Sequence, residues 1–346
     1  MHSLLVELPL GAQTSYAELH DMAQCIESAR FSTLRGSFHR RKIKNKIYVY
    51  FNFRDTDGRG RAAYVGPENE RVRRLVDDFE QQHISRGLDA LAQRAQACMA
   101  LGCDALPNKH FRVIDKLARY GFFRCGGLLI GAYAMVAMGN MLGVRWKNIA
   151  RRMEDNAHVC NSISVALPTG LDMSGQEAIT SLENGLLPIR EFSGRTNAKV
   201  KHSEQSELLV EFVVPQIGTG EGVQIPGLNV DLEPMAFTEF LLEDATRGTV
   251  FAKSGACLVS LPDPARFAVY NLIVHGERLI SDRVESGDGL VQAAALVEWH
   301  GNQQRGASFR EVWRNAIARG ANWRRTAENG RDALIRQHPA LAELFK

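Results

Sequence analysis

The stretch Gly127–Asn140, GLLIGAYAMVAMGN, decides the fold. Its apolar beginning predicts a buried strand from Arg124 to Gly131, because both faces of the run are apolar. The residues from Tyr133 to Met141 predict a helix, since apolar residues continue there without a breaker. Gly131 therefore lies at a strand-to-helix turn, where the missing Cβ lets an anion approach the backbone. Many strand–helix turns carry glycine without binding a ligand, so this turn alone does not assign a site.

Carboxylates follow this unit at two places. Glu154 and Asp155 stand next to a predicted strand, Asn156–Val165, and Glu211 lies inside another, Leu208–Val214. A charge within an apolar strand is costly to bury without a partner. Three carboxylates on adjacent strands beside a phosphate-binding turn are what a two-magnesium nucleotidyl-transfer site needs. The alternative interpretation places Glu211 in solvent at a sheet edge.

The remaining chain divides into three predicted regions and indicates an α+β protein. Residues 1–108 combine an N-terminal helix, Ser15–Ala29, with a basic β-hairpin and a long helix, Asn69–Leu101, interrupted near Gly87. Residues 109–230 form the α/β core that holds the carboxylates. Residues 231–346 are predicted to be mostly helical, with one short strand pair.

The charge is unevenly distributed along the chain. The net charge is +3, but Arg35–Arg74 holds 12 basic and 4 acidic residues, and Arg305–Arg336 holds 8 and 3. The first segment contains the predicted strand Ile47–Phe53 and its return strand Ala62–Val65, in which aromatic residues alternate with basic ones. Such surfaces stack bases and hold phosphates. The candidate nucleic-acid residues are Arg40, Arg41, Lys42, Lys44, Tyr48 and Tyr50; the alternative is that the tyrosines pack on the following helix.

Several classes of protein are excluded or disfavoured. The composition, with 45% hydrophobic and 23% charged residues, is that of a globular protein. No apolar run approaches the roughly 18 residues of a spanning helix, and the N-terminus lacks the basic and apolar regions of a signal peptide. A cytoplasmic protein without membrane association is expected. The six cysteines form no CxxC pair, which disfavours a zinc site.

Several longer runs together resemble a bacterial nucleotidyltransferase-fold family of the polymerase-beta superfamily. The runs are GFFRCGGLLIGAYAMVAMGNMLGVRW, ELLVEFVVPQIG, the stretch from LNVDLEPMAFTEFLLED through LPDPARFAVYNLIV, GLVQAAAL and the N-terminal AAYVGPENE. The resemblance implies a polymerase-beta-like mixed sheet with a Gly-Ser/Thr turn, an Asp-x-Asp pair on the next strand and a third acid on a later one. It also implies Mg²⁺- or Mn²⁺-dependent transfer of a nucleoside monophosphate from a nucleoside triphosphate. Some relatives in the superfamily are toxins that modify transfer RNA.

The sequence departs from this family pattern at several positions. The turn reads Gly131-Ala132 and lacks the hydroxyl. Asp155 matches the first acid of the pair, but Ala157 stands where the second belongs, and Glu211 replaces the third. Asn271 stands where the family has a lysine. The expected metal ligands are therefore Asp155 and Glu211, with Glu154 as a further catalytic candidate, and the nucleotide is expected at Gly131, Ala132 and Asn271.

Two functional hypotheses involve nucleotide or nucleic acid, and a third is a structural or partner-binding protein whose basic segments serve assembly. The first is a nucleotidyltransferase that acts on an unknown acceptor, such as RNA or a protein, with an activity that the altered site impairs. The second is a catalytically inactive protein that retains the fold to bind nucleotide or nucleic acid. The departures leave open whether the chain is an enzyme.

Overall fold

The structure is a computed structural model, which describes residues 3–28, 31, 34–54, 59–82, 85–147, 162–169, 178–184, 186–187, 209–216, 232–277 and 288–346. Helices and strands are mixed along the chain, as expected of an α+β protein. Within these residues, no helix is long and apolar enough to cross a membrane.

The N-terminal region joins helices to a small antiparallel sheet. A short strand β1 (Leu5–Glu7) leads into α1 (Leu10–Ser28), whose residues Tyr16, Leu19 and Ala23 are buried at helical spacing. Three strands then pair in sequence order, β2 (Gly36–Ile43), β3 (Lys46–Arg54) and β4 (Gly60–Pro67). Two helices follow, α2 (Glu70–Gln82) and α3 (Ser85–Ala100).

The predicted basic hairpin is thus a three-stranded sheet. Its additional strand, β2, joins β3 through Lys44 and Asn45, which both have positive φ angles of 43° and 67°. Two left-handed residues form the tight turn that matches strand twist, and asparagine tolerates this conformation well. Phe51 of β3 contacts Phe79 of α2 with ring centroids 5.6 Å apart, so one face of the sheet packs on this helix.

The central sheet contains four strands in the order β5–β7–β8–β9. After α4 (Asn108–Arg119), the strand β5 (Leu128–Ile130) leads directly into α5 (Gly131–Met141). A strand β6 (Val144–Trp146) pairs with β1 outside the central sheet. The strand β7 (Ser162–Ala166) pairs antiparallel to β5 and parallel to β8 (Leu209–Pro215), which pairs parallel to β9 (Leu232–Met235). The sheet is therefore mixed, and β7 lies between the two strands that flank the candidate site.

Helices cover the remaining core. The short helices α6 (Ala178–Glu183) and α7 (Thr238–Leu242) are followed by the predicted strand pair, β10 (Thr246–Ala252) and β11 (Gly255–Leu261). The C-terminal helices are α8 (Pro264–Glu277), α9 (Asp288–Asn302), α10 (Gly306–Ala318) and α11 (Ala321–Gln337). A Cβ added to Gly276 of α8 would lie 1.9 Å from the carbonyl oxygen of Thr326 in α11, so glycine permits the two backbones to touch.

Several predicted boundaries were wrong. Helix α1 begins at Leu10 rather than Ser15, because its first turn already buries Ala12. Strand β5 spans three residues instead of eight, since the chain from Gly121 to Gly127 turns and the Gly127 amide donates to the Phe122 carbonyl at 2.9 Å. Strand β9 was not predicted, because its sequence LEPM contains a proline.

Candidate active site

The turn between β5 and α5 has the predicted strand–glycine–helix geometry. Ile130 is extended, with φ −128° and ψ 178°, and Gly131 has φ +73°. This left-handed conformation favours glycine because a Cβ would strain the backbone. Among the described residues, no side chain caps the first turn of α5 by a hydrogen bond. Amide groups at such a helix end attract anions.

Ser164 of β7 connects this turn to Glu211 of β8. The registers pair Ile130 with Ser164 and Ser164 with Glu211, so the three residues form one row across the sheet. The Ser164 hydroxyl donates a hydrogen bond to Oε2 of Glu211 at 3.2 Å. A Cβ added to Gly131 would lie 4.0 Å from the same hydroxyl oxygen. The Gly131 turn and the Glu211 carboxylate therefore lie within reach of one small ligand.

Glu211 is half-buried rather than fully exposed. Its neighbours in the strand, Val210 and Phe212, point to the opposite face and are 5% and 2% exposed, as strand alternation requires. Phe212 stacks on Phe122 with ring centroids 5.2 Å apart. Packing on that opposite face fixes the strand, so the carboxylate is held toward the face that carries Ser164.

Two other predicted site residues, Ala132 and Asn271, lie outside the row formed by Ile130, Ser164 and Glu211. Ala132 follows Gly131 in the first turn of α5 and is half-buried. Asn271 lies in α8, is 9% exposed, and its Nδ2 has no hydrogen-bond partner among the described residues. Its Oδ1 would lie 3.5 Å from a Cβ added to Gly289, at the start of α9. Glu154 and Asp155 lie outside the residues that the structure describes.

The residues present fit a divalent cation only in part. Glu211 supplies a carboxylate and Ser164 a hydroxyl, both oxygen ligands of the kind that Mg²⁺ accepts. In the described part of the chain, no group of three or more His, Cys, Asp or Glu side chains could hold a metal ion. A complete two-cation site would therefore need carboxylates from the segment that contains Glu154 and Asp155.

Ser164 is a site residue that was not predicted from the sequence. Its position inside SISVA, between Ile163 and Val165, which are both fully buried, indicates a side chain on the opposite face of the strand. That alternation is visible in the sequence. The pairing of Ser164 with Glu211 is not visible, because it depends on the register between two strands that are 47 residues apart.

The candidate nucleic-acid residues lie on the three-stranded sheet. The outer face, opposite Phe51 and α2, carries Tyr48 and Tyr50, whose rings lie 6.2 and 5.5 Å from that of Tyr64 in β4. The tyrosines therefore pack on each other rather than on α2. Among the basic candidates, Nε of Arg40 donates a hydrogen bond to Oε1 of Glu68 at 2.9 Å. The other basic candidates are exposed on β2 and in the turn that follows it: Arg41, Lys42 and Lys44.

Comparison with known proteins identifies the core but no individual relative. A family model described as Nucleotidyltransferase matches residues 108–318, which extend from the start of α4 to the end of α10. The match includes the Gly131 turn, Ser164 and Glu211. Searches of curated proteins and of solved structures give no significant match.

Proposed function

The chain belongs to the nucleotidyltransferase family, and we propose that it transfers a nucleoside monophosphate from a nucleoside triphosphate to an acceptor hydroxyl at the Gly131 turn. The observation that supports this proposal is the short connection from Gly131 through Ser164 to Glu211. It combines a phosphate-binding backbone with an oxygen ligand on the neighbouring strand. The acceptor hydroxyl would belong to an RNA or to a protein.

In this reaction the triphosphate binds at the first turn of α5. The amides there donate to phosphate oxygens, and Gly131, which has no side chain, leaves the backbone of the turn accessible. Ala132 contributes only its amide, because it has no hydroxyl. Nδ2 of Asn271 has no hydrogen-bond partner among the described residues and is a candidate donor to the nucleotide, in the place where the family resemblance implies a lysine.

The chemistry is an in-line displacement at the α-phosphorus. The acceptor oxygen forms a bond to the α-phosphorus, the bond from that phosphorus to the bridging oxygen breaks, and pyrophosphate leaves. The proton of the acceptor hydroxyl passes to a carboxylate or to water. A bound Mg²⁺ or Mn²⁺ would supply positive charge to the leaving phosphates. We propose Glu211 and Asp155 as its ligands, with Glu154 as a further carboxylate.

A second candidate function is nucleotide binding without transfer. The observation that favours it is that the described side chain bonded to Glu211 is the neutral Ser164 hydroxyl and not a second carboxylate. The sequence adds Ala157, which stands where the family pattern has an acid. A site with too few carboxylates would hold a nucleotide and one cation but would not orient the displacement.

Incorporation of labelled nucleotide, measured with Mg²⁺ and with Mn²⁺, separates the two functions. We expect slow transfer by the unchanged protein, loss of at least about 100-fold in Glu211→Gln, which removes a charged ligand, and faster transfer in Ala157→Asp. Nucleotide affinity is measured on the same samples. Nucleotide binding without transfer by either the unchanged protein or Ala157→Asp would favour the binding function. Transfer that is unaffected by Glu211→Gln would refute the assigned site.

A further inference from the structure

A large cavity lies between the three-stranded sheet, α4 and β11. Its volume is about 1560 Å³, and its walls include Arg54 and Arg61 from the sheet, Lys116 from α4 and Leu258 from β11. Pockets for small ligands usually measure roughly 300–1,000 Å³. The cavity therefore has room for an extended ligand.

Helix α4 presents a basic stripe to this cavity. Four of its residues, at spacings of three, four and three, line the wall: Lys109, Arg112, Lys116 and Arg119. The apolar side of the same helix is anchored in the core by Phe111, Ile114 and Leu117, which are buried. Phe111 and Leu117 also border the cavity, so its wall along α4 is partly apolar and partly basic. The first turn of α4 also borders the cavity, at Asn108 and Lys109.

The cavity wall has a surplus of positive charge. The described lining residues include eight arginines and lysines but only two acids, Glu27 and Asp115. Both acids already have partners: Arg124 and Arg247 bond Glu27, and Arg119 Nε bonds Asp115 Oδ1 at 3.3 Å. The pKa of Arg35 is lowered, first by the nearby charge of Arg119 and then by burial. Basic side chains therefore outnumber acidic ones among the described residues that line the cavity.

The outer face of the three-stranded sheet continues into the cavity. Tyr50 pairs with Tyr64 across β3 and β4, and two positions further along the same strands Asn52 pairs with Ala62. Side chains two positions apart share a face, and Asn52 and Ala62 both line the cavity. A chain of nucleotides could therefore lie across the tyrosines and enter the basic cavity without crossing the sheet.

We propose that the cavity and the tyrosine face together bind a single-stranded nucleic acid. The basic stripe of α4 holds the phosphates, and unpaired bases stack on Tyr48, Tyr50 and Tyr64. Aromatic stacking requires bases that are not already stacked in a duplex, which favours a single strand. Val210 lines the cavity and points to the face of β8 opposite Glu211, so the proposed binding site and the proposed cation ligand lie on opposite faces of that strand. Binding of the strand does not depend on the proposed function.

The test measures binding of the full chain to labelled oligonucleotides of about 12 nucleotides, within the usual site size, without triphosphate or divalent cation. RNA and DNA of the same sequence are compared with their duplexes at several salt concentrations. We expect tighter binding of a single strand than of a duplex, and an affinity that falls steeply with salt. The preferred sugar then distinguishes RNA from DNA as the ligand.

Matched variants locate the binding site. Arg112→Glu with Lys116→Glu should weaken binding roughly tenfold or more and reduce the salt slope by about 0.7 for each phosphate that the variant no longer neutralises. The control, Arg314→Glu with Arg324→Glu, makes the same charge change at two exposed residues of α10 and α11 and should change the affinity less than about twofold. The double variant Tyr48→Ala with Tyr50→Ala should weaken binding roughly tenfold. The double variant Tyr48→Phe with Tyr50→Phe should retain the affinity, because phenylalanine also stacks on bases.

Three results would overturn the proposal. The first is that no oligonucleotide binds at low salt, and the second is that duplexes bind more tightly than single strands. The third is that the α4 double variant and the control double variant lose affinity equally. Glu211→Gln distinguishes a failure of this proposal from a failure of the proposed function. It should abolish transfer while leaving oligonucleotide affinity unchanged, since Glu211 does not line the cavity.

Discussion

Replacing Ser164 by aspartate would test whether the row across the central sheet is a cation site. The Ser164 hydroxyl lies 3.2 Å from Oε2 of Glu211, so an aspartate there would place a second carboxylate beside that of Glu211. Two like charges about 4 Å apart repel by about 1 kcal/mol in water and about 4 kcal/mol at an effective dielectric constant near 20. Without a divalent cation, Ser164→Asp should therefore lower the free energy of unfolding by roughly 1–4 kcal/mol.

A divalent cation should reverse this destabilisation in the aspartate variant. A ligand present at about 100 times its dissociation constant stabilises the folded state by about 2.7 kcal/mol, which is comparable to the repulsion. The assay is urea unfolding with a chelator and then with Mn²⁺. Ser164→Asn is the matched control, because it has a similar volume without the charge. The reasoning would be refuted if both variants unfolded at the same urea concentration without cation, or if Mn²⁺ stabilised both equally.

Two further predictions concern stability. Gly276→Ala should lower the free energy of unfolding by roughly 1–3 kcal/mol or more through overpacking, because its Cβ would lie 1.9 Å from the Thr326 carbonyl oxygen. The control is Gly11→Ala, whose Cβ meets no described atom within 4 Å. Equal urea midpoints for the two variants would contradict the close approach of the two backbones. Burial, assisted by Arg305, lowers the pKa of His300 to about 4, so the unfolded chain takes up a proton below about pH 6.5 while the folded ring stays neutral. The free energy of unfolding should therefore fall by up to about 3 kcal/mol as the pH is lowered from about 7 to about 4. Urea midpoints measured across this range should fall less in His300→Phe than in the unchanged protein. An identical fall would contradict the lowered pKa of His300.

Local sequence patterns were sufficient to predict the elements that carry the candidate site. The β5–α5 unit follows from a run of apolar residues and from one glycine, which are properties of neighbouring residues, although β5 is shorter than predicted. Strand β2 was not predicted, because its sequence GSFHRRKI is mostly exposed and lacks a regular apolar alternation. Its strand structure depends on pairing with β3, which the propensity of its own residues does not reveal.

The candidate site was predictable only where a single residue carries the signal. Gly131 and Glu211 each stand out against their neighbours, the first by its place in a turn and the second as a charge in an apolar strand. Ser164 does not, since serine is common in strands and its role arises from register with β8. The assignments of Glu154 and Asp155 remain predictions.

The contact between Leu4 and α9 has a consequence for synthesis of the chain. The Leu4 amide donates to Oε2 of Glu298 at 3.1 Å, and β1 pairs with β6. The partner of Leu4 is 294 residues further along the chain. At roughly 5–20 residues per second, a ribosome needs on the order of 15–60 s to reach it. The strand partner β6 is synthesised about halfway through that interval, whereas the Leu4 amide has no Glu298 carboxylate to bind until the interval ends.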